Sequence, residues 1–409
     1  MRILLINNTH YIGGGADRVY INTGSLLEKN GHTVLYFSTQ SEKNIQSKYA
    51  KYFVSKQNNR EVSFTDKLKG VKNYLYNKEV ESKLSRLIQE EKPDIAHLHL
   101  FYGGLSSAVL KVLRENNIPI VQTVHDYRLL CPANAFLNSK NEICERCKPK
   151  KYYNCTLNRC SGGNIFYSSI LSVEGYFRKY LYDPLDYINH FVFVSDFSRK
   201  KHIDFDKRYR EKSSHLYNFT HLQEKPIVER ENYFLFFGRL SNEKGVHTLI
   251  EAAQEVGVNL KVVGDGPIKE ELEINNVNEK ISFLGHKSGQ ELIDLIKKAS
   301  FIIVPSEWYE NNPMTIIESY ALGKPVIGAK IGGIPEIIIE NKTGFLFESR
   351  SKETLKQVIE KAKKMSDQDY LEMSEGARKF AESNFSEEKN YDHLISVYQS
   401  LKQDNEKNS

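Results

Sequence analysis

Residues 233–256, YFLFFGRLSNEKGVHTLIEAAQEV, contain an apolar run, a glycine-bounded loop and a segment with apolar residues at helical spacing. The run at 233–237 is typical of a buried strand, and the helical spacing begins at Val246. Further strand-like runs are NLKVVGDG, KISFLGH, SFIIVPS and KPVIGAK, and further helical segments lie at 289–299 and 313–323. Because strands that alternate with helices favour parallel pairing, this half of the chain predicts a doubly wound α/β sheet.

The first half of the chain repeats this alternation. RILLIN at 2–7 precedes a glycine loop and a helix-like segment, and HTVLYFS, DIAHLHL, IPIVQTVH and NHFVFVS follow as strand-like runs. We therefore expect two facing Rossmann-like doubly wound domains with an interdomain cleft. The predicted divisions are an N-terminal domain at 1–217 with a cysteine-rich insertion at 131–160, a linker at 218–232, a C-terminal domain at 233–385, and a helical tail at 386–409 that crosses back to the N-terminal domain.

Length and composition narrow the class of protein. The chain has 409 residues, of which 40% are hydrophobic and 27% charged, as in globular proteins of two domains. There is no apolar stretch of about 18 residues that could span a membrane. MRILLINN is interpreted as a first strand and not as a signal peptide, and five cysteines in a chain of this size suggest a reducing compartment. A cytoplasmic location is expected.

The charge is unevenly distributed along the chain. Residues 1–220 carry 33 Lys and Arg against 21 Asp and Glu, a net +12, and residues 221–409 carry 24 against 31, a net −7. Tyrosine-rich basic stretches at 149–153, 176–182 and 199–212 predict attachment to an anionic membrane surface, although an ordinary solvated face explains them equally. No basic motif interleaved with aromatic residues indicates RNA, so no nucleic-acid partner is expected.

Two loops that follow predicted strands are candidates for phosphate binding. Gly13-Gly14-Gly15 opens the first helix, where backbone N–H groups favour an anion, although a tight turn explains the same residues. The loop is not a dinucleotide fingerprint, because Arg18 replaces the third glycine. In the loop at 238–245, Arg239 and Lys244 can converge on one pyrophosphate, and a solvated surface pair is the alternative.

The segment 305–318, PSEWYENNPMTIIE, concentrates polar residues at the start of a helix. Pro313 suits the first helical turn, which leaves the N–H groups of Met314 and Thr315 free to meet an anion. Glu310 precedes the helix and Glu318 lies more than a turn inside it, so one carboxylate could bind a sugar and the other a ribose diol. A helix-face charge is the alternative for Glu318.

In this order the motifs resemble family 4 retaining glycosyltransferases of the GT-B fold. The resemblance covers nearly the whole chain and is close from Phe234 to Phe347. It rests on Gly13–Gly15, His125-Asp126, Gly238-Arg239 with Lys244, Gly264-Asp265-Gly266-Pro267, Glu310 and Glu318 separated by seven residues, and Gly332-Gly333-Ile334-Pro335-Glu336 followed by Gly344.

The resemblance implies transfer of a sugar, with retention and without a catalytic metal, from a nucleotide-diphosphate sugar to a glycan or lipid-linked acceptor in bacterial cell-surface polysaccharide biosynthesis. It implies that Arg239 and Lys244 hold the diphosphate, that Glu318 binds the ribose and that Glu310 faces the donor sugar. His125, which could otherwise be a core histidine, would lie beneath that sugar. The candidate catalytic residues are His125, Arg239, Lys244 and Glu310, and the candidate donor-binding residues are Gly14, Gly15, Gly238, His286, Met314, Thr315 and Glu318.

Two other motifs concern metal ions. Cys144, Cys147, Cys155 and Cys160 have a knuckle-like spacing that predicts a structural zinc in an insertion with little apolar content, and free thiols or disulfides are the alternatives. Asp204-Phe-Asp206 spells the Asp-x-Asp of metal-dependent transferases, but its basic, helix-like surroundings indicate a solvated face.

Two other functions remain open at this point. A nucleotide-sugar 2-epimerase would share the two-domain architecture but would use a different set of carboxylates and histidines. A noncatalytic protein that binds nucleotide sugars or nucleic acid would account for the basic half, although the intact Arg239, Lys244, Glu310 and Glu318 argue against it.

Overall fold

The computed structural model describes residues 1–55, 64–222, 230–276 and 278–408, and the chain divides into two compact units. The first unit contains Met1–Leu216 and the C-terminal segment from Tyr391, and the second contains Tyr217–Asn390. Each unit has one six-stranded sheet in which every pair of neighbouring strands is parallel. The predicted α/β class is therefore confirmed. Part of the predicted linker, 223–229, lies outside the described residues.

The first unit alternates strands with helices along most of its length. Its strands are β1 (Arg2–Ile6), β2 (Thr33–Phe37), β3 (Ile95–Leu98), β4 (Ile120–Val124), β5 (His190–Phe193) and β6 (Ser213–His215). Its helices up to residue 205 are α1 (Gly15–Lys29), α2 (Phe64–Leu75), α3 (Lys78–Glu91), α4 (Ala108–Glu115), α5 (Tyr153–Leu157), α6 (Ile165–Leu181), α7 (Pro184–Tyr187) and α8 (Asp196–Phe205). Short 3₁₀ helices lie at Ala50–Tyr52 and Lys207–Arg210.

The strand order of this sheet is β2-β1-β3-β4-β5-β6. The order reverses between β1 and β3, so the loops that follow these two strands separate and leave a crevice at the carboxyl edge of the sheet. Every residue of β3 and β4 is buried, as expected for central strands covered on both faces. Ligand-binding residues of this unit are therefore expected after β1, β3 and β4.

A C-terminal helix, α16 (Glu387–Asn408), completes the core of the first unit. Leu394 and Tyr398 are buried in the same apolar cluster as Ile3 and Leu5 of β1. The Tyr398 hydroxyl lies 2.5 Å from Nδ1 of His97 in β3, a contact between residues 301 positions apart. The segment from Tyr391 is thus an integral layer of this unit.

The second unit has the same architecture. Its strands are β7 (Phe234–Phe237), β8 (Leu260–Val263), β9 (Ile281–Phe283), β10 (Phe301–Val304), β11 (Val326–Ala329) and β12 (Gly344–Phe347). Its helices are α9 (Val246–Val256), α10 (Lys269–Asn275), α11 (Gly289–Lys298), α12 (Met314–Ala321), α13 (Ile334–Ile337), α14 (Lys352–Lys363) and α15 (Asp367–Asn384), with a 3₁₀ helix at Asn242–Lys244.

The strand order of the second sheet is β9-β8-β7-β10-β11-β12, the Rossmann arrangement 3-2-1-4-5-6. Its core clusters around the four buried residues of β7 and the four of β10. The order in which the strands are added to the sheet reverses between β7 and β10, so the loops that follow these two strands border the crevice in which such sheets bind ligands. The loop after β7 contains Arg239 and Lys244, and the loop after β10 contains Glu310.

Candidate functional site

The loop after β7 packs directly on the loop after β8. Gly238 donates its N–H to the carbonyl of Val263 at 3.0 Å, and Leu240 donates to the carbonyl of Asp265 at 2.9 Å. A Cβ on Gly264, whose φ is +147°, would lie 1.8 Å from the carbonyl oxygen of Gly238. Glycine is required at 264 because no side chain fits between the two backbones. The structure thus gives Gly238 and Gly264 a packing role, whatever ligand they meet.

A second close approach joins the loops after β7 and β10. Gly245 ends the 3₁₀ helix with a φ of +68°, and a Cβ there would lie 2.0 Å from the carbonyl oxygen of Pro305. Glu307 donates its N–H to the carbonyl of Glu243 at 2.8 Å. This packing places Lys244, which is adjacent to Gly245, next to the segment that ends in Glu310.

Lys244 and Glu310 form an ion pair. The Lys244 Nζ lies 2.6 Å from Oε1 of Glu310, and the Ser306 hydroxyl donates to the same oxygen at 2.7 Å. Burial alone would raise the pKa of the Glu310 carboxyl, but the charge of Lys244 and the hydrogen bonds from Lys244 and Ser306 hold that pKa below its ordinary value. Glu310 is therefore an ionised, buried carboxylate that orients Lys244.

The backbone of Glu310 is fixed by the Gly332-Gly333 turn. Gly333 donates its N–H to the Glu310 carbonyl at 2.7 Å. Gly332 has a φ of +60°, and a Cβ there would lie 2.2 Å from the same carbonyl oxygen. The glycine pair noted in the sequence thus holds the backbone of Glu310 in place.

Arg239 differs from Lys244 in its surroundings. Its side chain is exposed, and within the described parts of the chain it has neither a hydrogen-bond partner nor an ion-pair partner. Because Lys244 is paired with Glu310, Arg239 is the cation of this loop that has no ion-pair partner among the described residues.

The remaining predicted donor residues lie on two elements. Met314 and Thr315 begin α12 after Pro313, with no side-chain cap on the helix, and the Thr315 hydroxyl lies 3.4 Å from the carbonyl of Phe237 at the end of β7. Glu318 lies half-buried one turn further along α12. His286 is exposed after β9, where Gly264 donates its N–H to the Gly285 carbonyl at 2.9 Å. The structure thus places all four near the carboxyl edge of the sheet.

In the first unit, the glycine loop is tied down by an aspartate. Gly14 precedes α1 with an extended backbone and Gly15 is its first residue, both exposed. The N–H of Gly13 donates to Oδ2 of Asp17 at 3.2 Å, and Thr9 donates its hydroxyl to the other oxygen of that carboxylate at 2.7 Å. The start of α1 therefore already has a carboxylate of its own, which sequence reasoning did not identify.

His125 lines a cavity of about 150 Å³ at the carboxyl edge of the first sheet. The cavity is formed by the residues after β1 and β3 and by the end of β4 with the loop that follows it. Its polar lining is Asn8, His99, Tyr102, Gln122, His125, Asp126, Arg128 and Asn134. Four polar atoms of this lining are buried without a hydrogen-bond partner in the described structure, and these are His99 Nε2, Tyr102 Oη, Gln122 Oε1 and Arg128 Nε. Unpaired buried polar atoms that face a cavity are suited to bind a polar ligand.

A row of stacked histidines supports His125 from the strand side. The rings of His97 and His99 stack with centroids 4.6 Å apart, those of His99 and His125 stack at 5.1 Å, and Nδ1 of His99 lies 2.9 Å from Nε2 of His125. Burial lowers the pKa of His97 and of His125 to about 3 and lowers that of His99 as well. These imidazoles are therefore neutral near pH 7.

Sequence reasoning identified His125 but missed His99 and Gln122. The signal for His99 was the pair His97-x-His99 at the end of DIAHLHL, since alternate residues of a strand point to one side of the sheet. Gln122 gave no such signal, because only the pairing of β4 between β3 and β5 places it at the cavity.

The cysteines form one group that includes a fifth member. The pKa of the Cys147 thiol is raised to about 12. Burial is the largest cause, and the nearby thiols of Cys131, Cys160 and Cys144 contribute further. These four cysteines and Cys155 are all free thiols. No three or more His, Cys, Asp or Glu side chains of the described chain are placed to hold a metal ion, so the predicted zinc stays a prediction from spacing.

The Asp-x-Asp motif has a structural explanation. Asp206 accepts from the N–H of Arg208 at 3.2 Å and forms an ion pair with its guanidinium at 2.8 Å. Asp204 is an exposed residue of α8. The solvated interpretation of this motif is consistent with these contacts.

Comparison with known proteins defines the class. The chain has two α/β units, each with a parallel sheet. One has a cation–carboxylate pair at its switch point, and the other has a polar cavity at the edge of its sheet. This is the organisation of a GT-B glycosyltransferase. The model of Glycosyltransferase Family 4 matches residues 13–224, more than half of the chain, and that of Glycosyl transferases group 1 matches residues 218–380. The chain belongs to glycosyltransferase family 4.

The individual relatives have low sequence identity to this chain. An uncharacterized glycosyltransferase of Methanocaldococcus jannaschii is 33% identical over 195 residues, which are 46% of this chain and 53%, about half, of that relative. An uncharacterized 42.6 kDa protein in the cps region of Klebsiella pneumoniae is 24% identical over 362 residues, covering 82% of this chain and 87% of the relative. The structure of Anabaena HepE in complex with UDP matches with a TM-score of 0.66 at 17% identity, covering 98% and 100% of the two chains. This last likeness shows the fold alone.

Proposed function

We propose that the protein is a retaining, metal-independent glycosyltransferase that moves a sugar from a nucleotide-diphosphate sugar to a glycan or lipid-linked acceptor in bacterial cell-surface polysaccharide biosynthesis. The observation that carries the proposal is the Lys244–Glu310 pair, in the same loop region as the unpaired Arg239, at the switch point of the second sheet. Cations at this edge suit an anionic leaving group.

The chemistry follows from the charges. When the bond between the sugar and the diphosphate breaks, negative charge develops on the departing phosphate oxygens. Lys244 and Glu310 are together neutral, so we assign to Arg239 the larger part of the charge stabilisation and to Lys244 a directed hydrogen bond. The N–H groups of Met314 and Thr315 at the start of α12 add partial positive charge.

Retention needs no carboxylate nucleophile in this scheme. The departing phosphate oxygen accepts the proton of the acceptor hydroxyl on the face from which the sugar leaves. One bond from the anomeric carbon to the phosphate oxygen breaks, one bond to the acceptor oxygen forms, and the proton ends on the diphosphate. Glu310 is proposed to face the donor sugar, and Glu318 to bind the ribose hydroxyls.

The first unit is proposed to bind the acceptor and to meet the transferred sugar through His125. Because the pKa values of His125 and His99 are lowered, His125 would act on the sugar as a hydrogen-bonding group and not as a cation. Its partner His99 fixes the orientation of the ring, since the two nitrogens lie 2.9 Å apart.

Two comparisons support the substrate classes. The Anabaena structure is a complex with UDP, which is the diphosphate product of a nucleotide-sugar donor. The relative from Klebsiella pneumoniae is described as a protein in the cps region. Both observations concern those proteins and motivate the choice of donor and pathway to be tested in this one.

The test starts from a panel of nucleotide sugars screened for binding to the full chain, followed by transfer assays with the donor that binds. We expect turnover that depends on an acceptor, survives chelator and gives a product with the anomeric configuration of the donor, measured by NMR. An inverted product, or a requirement for magnesium or manganese, would refute the mechanism. Conversion of the donor to its 2-epimer without an acceptor would identify the epimerase alternative.

A further inference from the structure

Helix α6 has its polarity reversed. Its buried positions include Ser168, Ser172, Glu174, Gly175 and Arg178. Six of its large apolar and aromatic residues are instead exposed by half or more, and these are Ile165, Phe166, Tyr167, Val173, Tyr180 and Leu181. Its other four, Ile170, Leu171, Tyr176 and Phe177, are half-buried. A surface helix normally buries its apolar stripe, so this arrangement requires an explanation.

Hydrogen bonds hold the buried polar face of α6 against the rest of the protein. The hydroxyls of Thr156 and Ser172 lie 2.8 Å apart, and Ser172 donates to the carbonyl of Tyr152 at 2.8 Å. The N–H of Ser161 donates to the Ser168 hydroxyl at 3.0 Å. Because these bonds fix which side of α6 faces the protein, the outward direction of its apolar side is a built feature and not a rotation of the helix.

The neighbouring helix α5 extends the apolar surface. Tyr153 is 49% exposed and Leu157 is 72% exposed. The Tyr153 N–H donates to the hydroxyl of Tyr176 in α6 at 3.3 Å, which joins the two helices. We call the exposed apolar residues of α5 and α6 together the α5–α6 surface.

The exposed charged side chains of the segment that carries this surface are all cations. Between residues 146 and 181 the exposed charged side chains are Arg146, Lys148, Lys150, Lys151 and Arg159. The one acidic residue of this span, Glu174, is buried and lies within ion-pair distance of Arg128 and Arg178. A second copy of the same surface would bring five cations against five, so a symmetric dimer through it is disfavoured. An anionic partner would be complementary to these cations.

We propose that the α5–α6 surface docks on an anionic lipid bilayer, with its apolar and tyrosine side chains in the headgroup boundary and the flanking lysines and arginines against the lipid phosphates. Tyrosine favours this boundary because its ring is apolar and its hydroxyl is polar, and the apolar side chains insert on the side of the acyl chains. None of the helices in the described part of the chain is long and apolar enough to span a bilayer, so the proposed attachment is peripheral.

The test is flotation of the full-length protein with vesicles of phosphatidylcholine alone and of phosphatidylcholine with about one-third phosphatidylglycerol, at low and high salt. We expect binding to the anionic vesicles only, weakened by salt. Phe166→Gln with Leu181→Gln should abolish it. Lys150→Gln with Lys151→Gln should lower the partition coefficient roughly 10- to 30-fold, from the typical contribution of a basic residue near anionic lipid.

Matched controls come from the second unit. Ile274 is 80% exposed, against 57% for Phe166 and 60% for Leu181, so Ile274→Gln changes an apolar residue that is at least as exposed. Lys363→Gln with Lys364→Gln changes an adjacent pair of exposed lysines. Both controls should bind as the unaltered protein does. No flotation at either salt, or flotation that the α6 variants leave unchanged, would overturn the proposal. A dimer that Phe166→Gln dissociates, measured by light scattering, would assign the surface to a second copy instead. Donor binding in solution is measured separately, so this proposal and the proposed function can fail independently.

Discussion

Arg239 and Lys244 are both proposed to meet the donor diphosphate, but the structure separates what their removal should do. Arg239 is exposed and has no partner within the described residues, so Arg239→Ala should change the free energy of unfolding by no more than about 0.5 kcal/mol. Loss of one preorganised charge partner typically costs about 100-fold in turnover, or about 2.7 kcal/mol of transition-state stabilisation. We expect that loss in kcat.

Lys244→Ala should lower both activity and stability. It leaves the Glu310 carboxylate, whose side chain is 7% exposed, without its cation, while the Ser306 hydroxyl still donates to it. Breaking a buried pair typically costs 3–5 kcal/mol, but the Lys244 side chain is 25% exposed, so we expect about 2 kcal/mol. Adding Glu310→Gln should recover most of that stability and none of the turnover, because it removes the uncompensated charge.

The assay combines kcat at saturating donor and acceptor with urea unfolding of each variant, and Lys363→Ala serves as the distal control. Near-normal turnover of Arg239→Ala would refute the charge assignment. A loss of stability in Arg239→Ala as large as that in Lys244→Ala would also refute it, since Arg239 would then have a structural partner.

Three further predictions concern other parts of the site. Glu318→Ala should raise KM for the donor with little change in kcat, because ribose contacts change little between ground and transition states, and steady-state kinetics would show the opposite split if it took part in chemistry. The four cysteines of the predicted zinc site should hold one zinc per chain by elemental analysis, and five freely titrating thiols with no zinc would reject this. Burial lowers the folded-state pKa of His202 to about 3 against about 6.5 unfolded, so stability is complete above about pH 6.5 and falls as the pH drops toward 3, by about 2 kcal/mol at pH 5 from this residue. If the urea midpoint of His202→Asn decreased between pH 7 and pH 5 as much as that of the unaltered protein, this prediction would be wrong.

The fold and half of the site were accessible from the sequence because their signals are local. The helix predicted at 246–256 is α9, Val246–Val256, and the helix predicted at 313–323 contains α12, Met314–Ala321. Strand and helix periodicities repeat within a few residues, so they need no knowledge of tertiary contacts. The loop with Arg239 and Lys244 was found for the same reason, since it directly follows a strand.

The cavity of the first unit was not accessible in this way. His99 reaches His125 only because β3 and β4 pair in parallel with His97 opposite Val121, and this register is a contact between distant segments. Cys131 was likewise left out of the cysteine group, because spacing connects only the four that follow it. The reversal of α6 was missed because its composition is that of an ordinary buried helix.

The two units place polar groups at a sheet edge by different physical means. In the second unit, Gly245 and Gly332 let backbone segments touch, and the contacts hold an ionised pair, Lys244 and Glu310, where water is partly excluded. In the first unit, burial keeps His99 and His125 neutral. A diphosphate gains negative charge as its bond to the sugar breaks, so its binding site needs fixed charges. Sugar hydroxyls stay neutral, so their binding site needs hydrogen-bonding groups that neither repel nor attract the leaving group. This difference is the physical reason for assigning the donor diphosphate to the second unit and the acceptor to the first.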